Sequence, residues 1–193
     1  INYRTSHQIR MQADKLLGPE ISDVDGVTEE RTGTISIFNG PDPIICKCQT
    51  HGEEIDTVSS KLSEWVDKGL ALNEIGVFVR SENELNRAKA AVESAKLSYK
   101  VLDEKVSTTE GNISICTMHL AKGLEFRAVV VMACDDEVIP LQERIERVVD
   151  ESDLLEVYNT ERHLLYVACT RARDQLLLTS VEPESEFLDD LMM

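Results

Sequence analysis

Short apolar runs that alternate with helical patterns limit most strongly what this chain can fold into. Runs rich in branched side chains occupy residues 75–79, 112–117 and 128–133, as in strands that are buried on both faces of a sheet. Apolar residues at helical spacing fill much of the remaining sequence. The alternation predicts an α/β fold, with a mainly parallel central sheet and helices on both faces.

The other elements are predicted from the same patterns and from turn residues. Ser81 and Glu84 have the spacing of a capping box. Trp65 falls on the apolar face of a helix, so we expect a core residue rather than a ligand contact. All 193 residues are expected to form one domain. Further strands are predicted at 34–38, 44–49, 99–102 and 175–180, and helices at 6–17, 55–66, 81–95, 141–149 and 159–169.

Charge is distributed unevenly along the chain. A net charge of −16 argues against a simple nucleic-acid-binding module, which usually carries a basic face. Acidic residues are concentrated in 135–158, predicted to be an insertion, and in 182–193, predicted to be a C-terminal tail. Basic residues exceed acidic ones in 1–17, 113–132 and 162–179. Three basic segments on an acidic body predict a localised anion site.

The five cysteines do not have the pattern of a disulfide framework. Cys116, Cys134 and Cys169 lie within apolar segments and are expected to be buried, reduced thiols. Cys46 and Cys48 do not have zinc-knuckle spacing, so no metal site is expected. No apolar run approaches the roughly 20 residues of a membrane span, and no signal peptide is present, which favours a cytoplasmic location.

Polar residues follow the strand predicted at 112–117. Side chains at the carboxyl end of a parallel strand line the crevice in which α/β sheets bind ligands. His119 and Lys122 are predicted on one side of a short helical turn, where Gly123 permits a sharp change of direction. Glu125 is then expected to face the same opening. Each residue alone has an ordinary structural interpretation, but their combination with the run at 161–173 indicates a site.

Two arginines follow the amphipathic helix predicted at 159–169. Arg171 and Arg173 stand just before the strand predicted at 175–180. A guanidinium group carries a permanent charge and a planar fork of donors that matches phosphate oxygens. Such a group, held at the end of a packed helix, can stabilise charge on a transferring phosphoryl group. The sequence therefore predicts a phosphate contact here.

These segments resemble motifs of the UvrD/Rep-type superfamily 1 helicases. Residues 117–126 (Thr-x-His-x-x-Lys-Gly-Leu-Glu-Phe) resemble motif V, and residues 161–172 (Glu-Arg-x-Leu-x-Tyr-Val-Ala-x-Thr-Arg-Ala) resemble motif VI. Residues 2–5 (Asn-Tyr-Arg-Thr) resemble motif IV, and residues 75–80 resemble motif IVa. The motifs occur in the family's order. The resemblance implies the C-terminal RecA-like domain of such a helicase, a fold of the P-loop-NTPase type.

The resemblance implies a set of nucleotide contacts. In this family the motif IV tyrosine stacks on adenine and the adjacent arginine reaches the γ-phosphate, roles that fall to Tyr3 and Arg4. Arg171 holds the position of the motif VI arginine finger. The motif V glutamate, here Glu125, contacts the nucleotide sugar, and Arg173 is a less direct helper near the phosphate. The implied cofactors are ATP and Mg²⁺.

The resemblance also implies a track for single-stranded DNA. Motif V of the family contributes a threonine and a histidine to that track, which here are Thr117 and His119. Arg80, at the end of a predicted strand, is expected to contact the DNA backbone. The implied partners are single-stranded DNA, along which the family moves 3′ to 5′, and an N-terminal RecA-like domain of the same protein.

The sequence departs from the family pattern at two places. Nothing matches G-x-x-x-x-G-K-[ST] and no strand ends in Asp-Glu, so we expect the chain alone not to hydrolyse ATP. Alone it is also expected to bind ATP and DNA weakly or not at all. Only about ten residues join Leu102 to Ile113, where larger family members carry an accessory subdomain. The chain starts without methionine, as expected for a piece of a longer protein.

Two other functions are compatible with the sequence. The domain can be a non-catalytic interaction module derived from a helicase, with its acidic segments docking a basic partner. Solvated surface is an equally good interpretation of those segments. The presence together of Tyr3, Arg4, His119, Glu125 and Arg171 argues against such a module. The domain can also belong to a motor that is coupled to a nuclease, although no carboxylate spacing of a nuclease site occurs here.

Overall fold

The computed structural model describes residues 5–17, 39–105 and 107–192. The strands are β1 (Ile44–Cys48), β2 (Ile75–Val79), β3 (Tyr99–Val101), β4 (Ile113–Thr117), β5 (Phe126–Val131) and β6 (Ala172–Val181). They form one sheet in the order β1-β6-β5-β2-β4-β3, and every neighbouring pair is parallel. The predicted α/β fold with a parallel central sheet is confirmed. The strand predicted at 34–38 lies outside the described residues.

Helices cover both faces of the sheet, as predicted. They are α1 (His7–Asp14), α2 (His51–Asp67), α3 (Leu85–Ser94), α4 (Gln142–Ile145), α5 (Glu151–Cys169) and α6 (Glu186–Met192). Trp65 of α2 and Ala88 of α3 are buried in the cluster on one face. Ile9 of α1, Leu165 of α5 and Phe187 of α6 belong to the cluster on the other face. No helix among the described residues is long and apolar enough to cross a membrane.

Close packing explains the composition of the central strands. All five residues of β2 are buried. Gly76 of β2 leaves room for the ring of Phe126, which would lie 2.6 Å from a Cβ atom at position 76. Trp65 is a core residue, as predicted, and its indole N–H donates to Oε1 of Gln175 at 2.8 Å.

The three thiols predicted to be buried are buried. Cys116, Cys134 and Cys169 form no disulfide. Burial raises the pKa of all three thiols, to about 12 for Cys116 and Cys169. Among the residues that the structure describes, no group of three or more His, Cys, Asp or Glu side chains is arranged to hold a metal ion.

Three predicted helix starts are wrong, and the first is that of α2, which begins at His51 rather than at 55. Helix α5 begins at Glu151 rather than near 159, because the Asp150 side chain caps its first turn. The predicted insertion at 135–158 therefore contains the first turns of α5. The predicted capping box does not form at Ser81; a 3₁₀ turn over Glu82–Glu84 precedes α3 instead.

The acidic C-terminal segment forms a packed helix rather than a solvated tail. Phe187, Leu188 and Leu191 of α6 are buried in the core. The carbonyl of Leu191 accepts a hydrogen bond from Nζ of Lys15 at 3.2 Å, which joins α6 to the end of α1. The acid content of the segment hides the helical spacing of its apolar residues in the sequence.

Candidate functional site

The predicted site residues lie at two opposite edges of the sheet. Arg80 follows β2 and Thr117 ends β4, so both lie at the carboxyl edge, with His119 in the 3₁₀ turn that follows. Glu125 and Arg171 directly precede β5 and β6, at the amino edge. The prediction that Glu125 faces the same opening as His119 is therefore wrong.

A short crossover, residues 118–125, joins the two edges. It starts with a 3₁₀ turn and bends at Gly123, where φ is +86°, so the predicted helical turn and sharp bend are confirmed. Ala121 and Leu124 are buried in the core, which fixes the course of the segment. Because the segment crosses the whole length of the strands, Glu125 emerges at the far edge.

A cleft of about 850 Å³ opens at the carboxyl edge of the sheet. Arg80, Thr117 and His119 line this carboxyl-edge cleft together, so the residues predicted to face DNA share one cavity. Arg144 contributes a further cation. The lining also includes three acidic side chains, Glu82, Asp103 and Glu104. We therefore expect phosphate contacts only in the part of the cleft near Arg144.

The guanidinium of Arg80 is buried, which differs from the DNA-backbone contact predicted for it. Its Nε and Nη2 each donate to an oxygen of the Glu161 carboxylate at 2.6 Å, and the two side chains are 3% and 0% exposed. The Nη1 atom lies 3.1 Å from Nε2 of His119. Arg80 is thus placed to orient the histidine, and its direct contact with DNA stays a prediction.

Glu161 connects the carboxyl-edge cleft to helix α5. Its carboxylate also accepts from Nη1 of Arg144 at 2.9 Å and from the backbone N–H of Leu141 at 3.2 Å. Burial alone would raise the pKa of Glu161, but the hydrogen bond and charge of Arg80 and the hydrogen bonds of Arg144 and Leu141 lower it below its usual value. The ionised carboxylate therefore holds the start of α4 against α5.

The pKa of His119 is lowered from its usual value. Partial burial of the ring is the largest cause, and the positive charge of Arg80 is the next. A neutral imidazole has one donor and one acceptor nitrogen. It is therefore suited to a hydrogen bond with a base or a sugar rather than to an ion pair with a phosphate.

A second cleft, of about 220 Å³, lies at the amino edge and brings Glu125 and Arg171 together. Arg171 occupies the link between α5 and β6. Its Nε donates to the carbonyl of Val167 at 3.1 Å, and its own carbonyl accepts from the N–H of Phe126 at 3.0 Å. These two bonds fix Arg171 at the end of α5. Arg10 and Tyr166 also line this amino-edge cleft.

Arg173 lies within β6 rather than at the end of a helix. Its Nε and Nη2 donate to the Asp174 carboxylate at 2.8 and 2.9 Å, and this bonding raises the pKa of Arg173. Arg127 donates to the same carboxylate at 3.0 Å. Among the described residues that line the amino-edge cleft, Arg173 does not occur. Its role near the phosphate stays a prediction.

Tyr3 and Arg4 lie outside the described residues. The next residue, Thr5, is buried, and its hydroxyl donates to the carbonyl of Thr170 at 3.1 Å. The N–H of Ser6 donates to the carbonyl of Arg173 at 2.9 Å. The start of α1 is therefore attached beside the link that carries Arg171.

Three residues in or directly behind the two clefts, Arg10, Arg144 and the buried Glu161, have no predicted role in the sequence. Arg10 belongs to the basic segment 1–17, and the excess of positive charge there is the one feature of the sequence that points to it. Glu161 lies within the motif VI run, but its partner Arg80 is 81 positions away. Arg144 lies in the acidic segment 135–158, where its neighbours conceal it.

The family model of the UvrD-like helicase C-terminal domain matches residues 92–183, which include the motif V and motif VI runs. A solved structure, the C-terminal domain of a possible DNA helicase from Lactobacillus plantarum WCFS1, is similar with a TM-score of 0.66 and 21% identity. The likeness covers 99% of this chain and 94% of that one. This structural likeness supports the α/β fold of the chain.

Three curated relatives are helicases by name. The putative ATP-dependent DNA helicase YjcD of Bacillus subtilis is 44% identical over 39% of this chain and 10% of its own length. The ATP-dependent DNA helicase PcrA of the same organism is 34% identical over 47% of this chain and 14% of its own length. DNA helicase II of Rickettsia typhi is 31% identical over 61% of this chain and 17% of its own length. The chain thus spans a small part of these relatives. The predicted similarity to UvrD-type helicase C-terminal domains is confirmed.

Proposed function

We propose that this chain is the C-terminal motor domain of an ATP-dependent DNA helicase or translocase. The observation that carries the proposal is the meeting of Glu125 and Arg171, from two separate motifs, in the amino-edge cleft. A carboxylate suited to sugar hydroxyls and a guanidinium suited to phosphate lie there together. ATP and Mg²⁺ bind between this cleft and an N-terminal RecA-like domain that supplies the phosphate-binding loop.

Arg171 acts as an arginine finger on the γ-phosphate. The hydrogen bond from its Nε to Val167 orients the guanidinium before nucleotide arrives, so little reorganisation is needed in the transition state. Arg4 supplies a second cation, since Thr5, its neighbour in sequence, is attached beside Arg171. Tyr3 stacks on adenine. Arg173, paired with Asp174, supports this edge of the sheet.

Single-stranded DNA passes through the carboxyl-edge cleft. Thr117 and His119 contact the strand, and Arg80 orients His119 from its buried ion pair. The crossover at 118–125 is fixed in the core and joins this cleft to Glu125. When the two domains close on ATP, the residues that contact DNA therefore move together with the residues that contact the nucleotide. We propose 3′-to-5′ movement in the cytoplasm, and no activity for the chain by itself.

The test uses the full-length protein that contains this chain. Arg171→Ala should lower DNA-stimulated ATP hydrolysis by roughly 10³-fold or more, as expected for loss of an arginine finger. Arg147→Ala is the matched control, because it removes an exposed arginine that lines neither cleft. Undiminished hydrolysis by Arg171→Ala would show that the assignment is wrong. A non-catalytic module would show no DNA-stimulated hydrolysis in any variant.

A further inference from the structure

Arg10 is a cation of the amino-edge cleft that lies outside all four motifs. It is carried by α1, next to the fully buried Ile9. The hydroxyl of Thr5 and the N–H of Ser6 attach the start of this helix to the α5–β6 link. The position of Arg10 beside Arg171 is therefore set by the fold and not by a mobile surface.

The guanidinium of Arg10 is itself held in place. Its Nε donates to Oδ1 of Asp14 at 2.9 Å, and its Cζ lies 5.7 Å from the centre of the Tyr166 ring. The side chain is only 17% exposed. Within the described part of the chain, no residue accepts a hydrogen bond from its two terminal amino groups. A guanidinium fixed through Nε presents those two groups as a fork.

The charges around the cleft favour an anion with several negative oxygens. Arg10 and Arg171 contribute two positive charges to the lining, and Glu125 contributes one negative charge. Asp14, which is not part of the lining, offsets part of the charge of Arg10. Two guanidinium groups in one cleft match successive phosphate groups better than a single carboxylate or phosphate does. The two terminal amino groups of Arg171 donate to the carbonyl of Leu124 at 3.5 Å and to the hydroxyl of Thr170 at 3.4 Å.

We infer that Arg10 binds the phosphate chain of the nucleoside triphosphate, an inference that rests on the proposed ATP site. Asp14 and Tyr166 fix the guanidinium before the nucleotide binds. A fixed cation of this kind stabilises the ground state and the transition state equally. Its loss raises KM and leaves kcat unchanged, whereas loss of Arg171 lowers kcat.

The experiment compares variants of the full-length protein in DNA-stimulated ATP hydrolysis and in equilibrium binding of a fluorescent ATP analogue. Arg10→Ala should raise KM for ATP about tenfold and weaken analogue binding equally, with kcat within about twofold, as expected for one charged hydrogen-bonding contact. Arg10→Lys keeps the charge but loses the fork, so an intermediate KM is expected. Salt should raise KM less steeply in Arg10→Ala than in the unmodified protein.

Lys15→Ala is the matched control, because it removes one positive charge from the end of the same helix without touching the cleft. The inference is overturned if Arg10→Ala and Lys15→Ala have the same KM and the same analogue affinity. It is also overturned if Arg10→Lys matches Arg10→Ala at every salt concentration. Full hydrolysis by Arg171→Ala would instead reject the ATP site itself, so the two failures are distinguishable.

Discussion

Arg80 and Glu161 form a buried, two-point ion pair that joins the end of β2 to the middle of α5. Both hydrogen bonds are 2.6 Å long, and neither side chain is more than 3% exposed. Glu161 also holds Arg144 and the backbone of Leu141. The pair thus organises one wall of the carboxyl-edge cleft as well as the core beneath it.

Removing one member of this pair should destabilise the protein strongly. Arg80→Ala leaves a buried carboxylate with only part of its donors, and we expect a loss of about 3–5 kcal/mol in the free energy of unfolding. Urea denaturation followed by circular dichroism measures the loss. Lys68→Ala, which breaks an exposed pair with Glu64, is the control and should change stability far less. Equal denaturation midpoints for the two variants would contradict the prediction.

The sequence predicts the central strands well and the strand starts poorly. Strand β2 is found where its apolar run lies, because all of its residues are buried. β5 and β6 begin two to three residues before their apolar runs. Charged side chains directly follow the first residue of each strand, and Arg127 of β5 pairs across the strands with Asp174 of β6. A cross-strand charge pair of this kind can be seen only when the strands are adjacent.

The motifs predict several residues of the two clefts but not their arrangement. The resemblance names Glu125 and His119 from one motif, whereas the crossover between them places the two residues at opposite edges. The burial of Arg80 depends on Glu161, a residue far away in the sequence. Contacts between distant segments decide these features, and local patterns do not contain them.

The stability of the fold should fall at mildly acidic pH because of His119. Its pKa is lowered in the folded protein, by burial and by the charge of Arg80. The unfolded chain therefore binds more protons as the pH falls through the unfolded value of about 6.5, and folding becomes less favourable. This contribution is complete above that pH and is lost below it.

Denaturation midpoints between pH 8 and pH 5 measure the effect of His119. His119→Asn removes the titrating group and should flatten the pH dependence in this range. The unmodified protein, measured over the same pH range, provides the comparison. A resonance of His119 that titrates above pH 6.5 in an NMR experiment would contradict the predicted direction.

Arg144 should contribute a phosphate contact in the carboxyl-edge cleft. One of its donors is used by Glu161, while its side chain is 33% exposed and lines the cleft with His119. In the full-length protein, Arg144→Ala should weaken binding to single-stranded oligonucleotides of any sequence. The slope of log affinity against log salt should fall by about 0.7, as for one phosphate on a single strand.

Fluorescence anisotropy titrations at several salt concentrations measure that slope. Arg147→Ala removes an equal charge three residues further on, outside the lining of the carboxyl-edge cleft. Its slope should match that of the unmodified protein. If both variants lower the slope equally, the effect comes from overall charge and Arg144 makes no specific contact.

Gly76 should be intolerant of any side chain, because the ring of Phe126 occupies the space. A Cβ atom at position 76 would lie 2.6 Å from that ring, and both residues lie in buried parts of the sheet. Gly76→Ala must therefore displace Phe126, which also packs edge-to-face on Phe78 at 6.0 Å. Overpacking of this kind lowers the free energy of unfolding by about 1–3 kcal/mol, which is measured as a lower denaturation midpoint.

Gly52→Ala provides the opposite result from the same chemical change. Gly52 lies in the first turn of α2 and is exposed. A methyl group at position 52 would have only Oγ1 of Thr50 nearby, at 3.8 Å. Alanine at position 52 restricts the unfolded chain and favours the helix, so we expect the free energy of unfolding to rise by about 0.4–1 kcal/mol. Opposite shifts of the two midpoints support the packing around Phe126, whereas a neutral or stabilising Gly76→Ala would show that the ring does not fill that space.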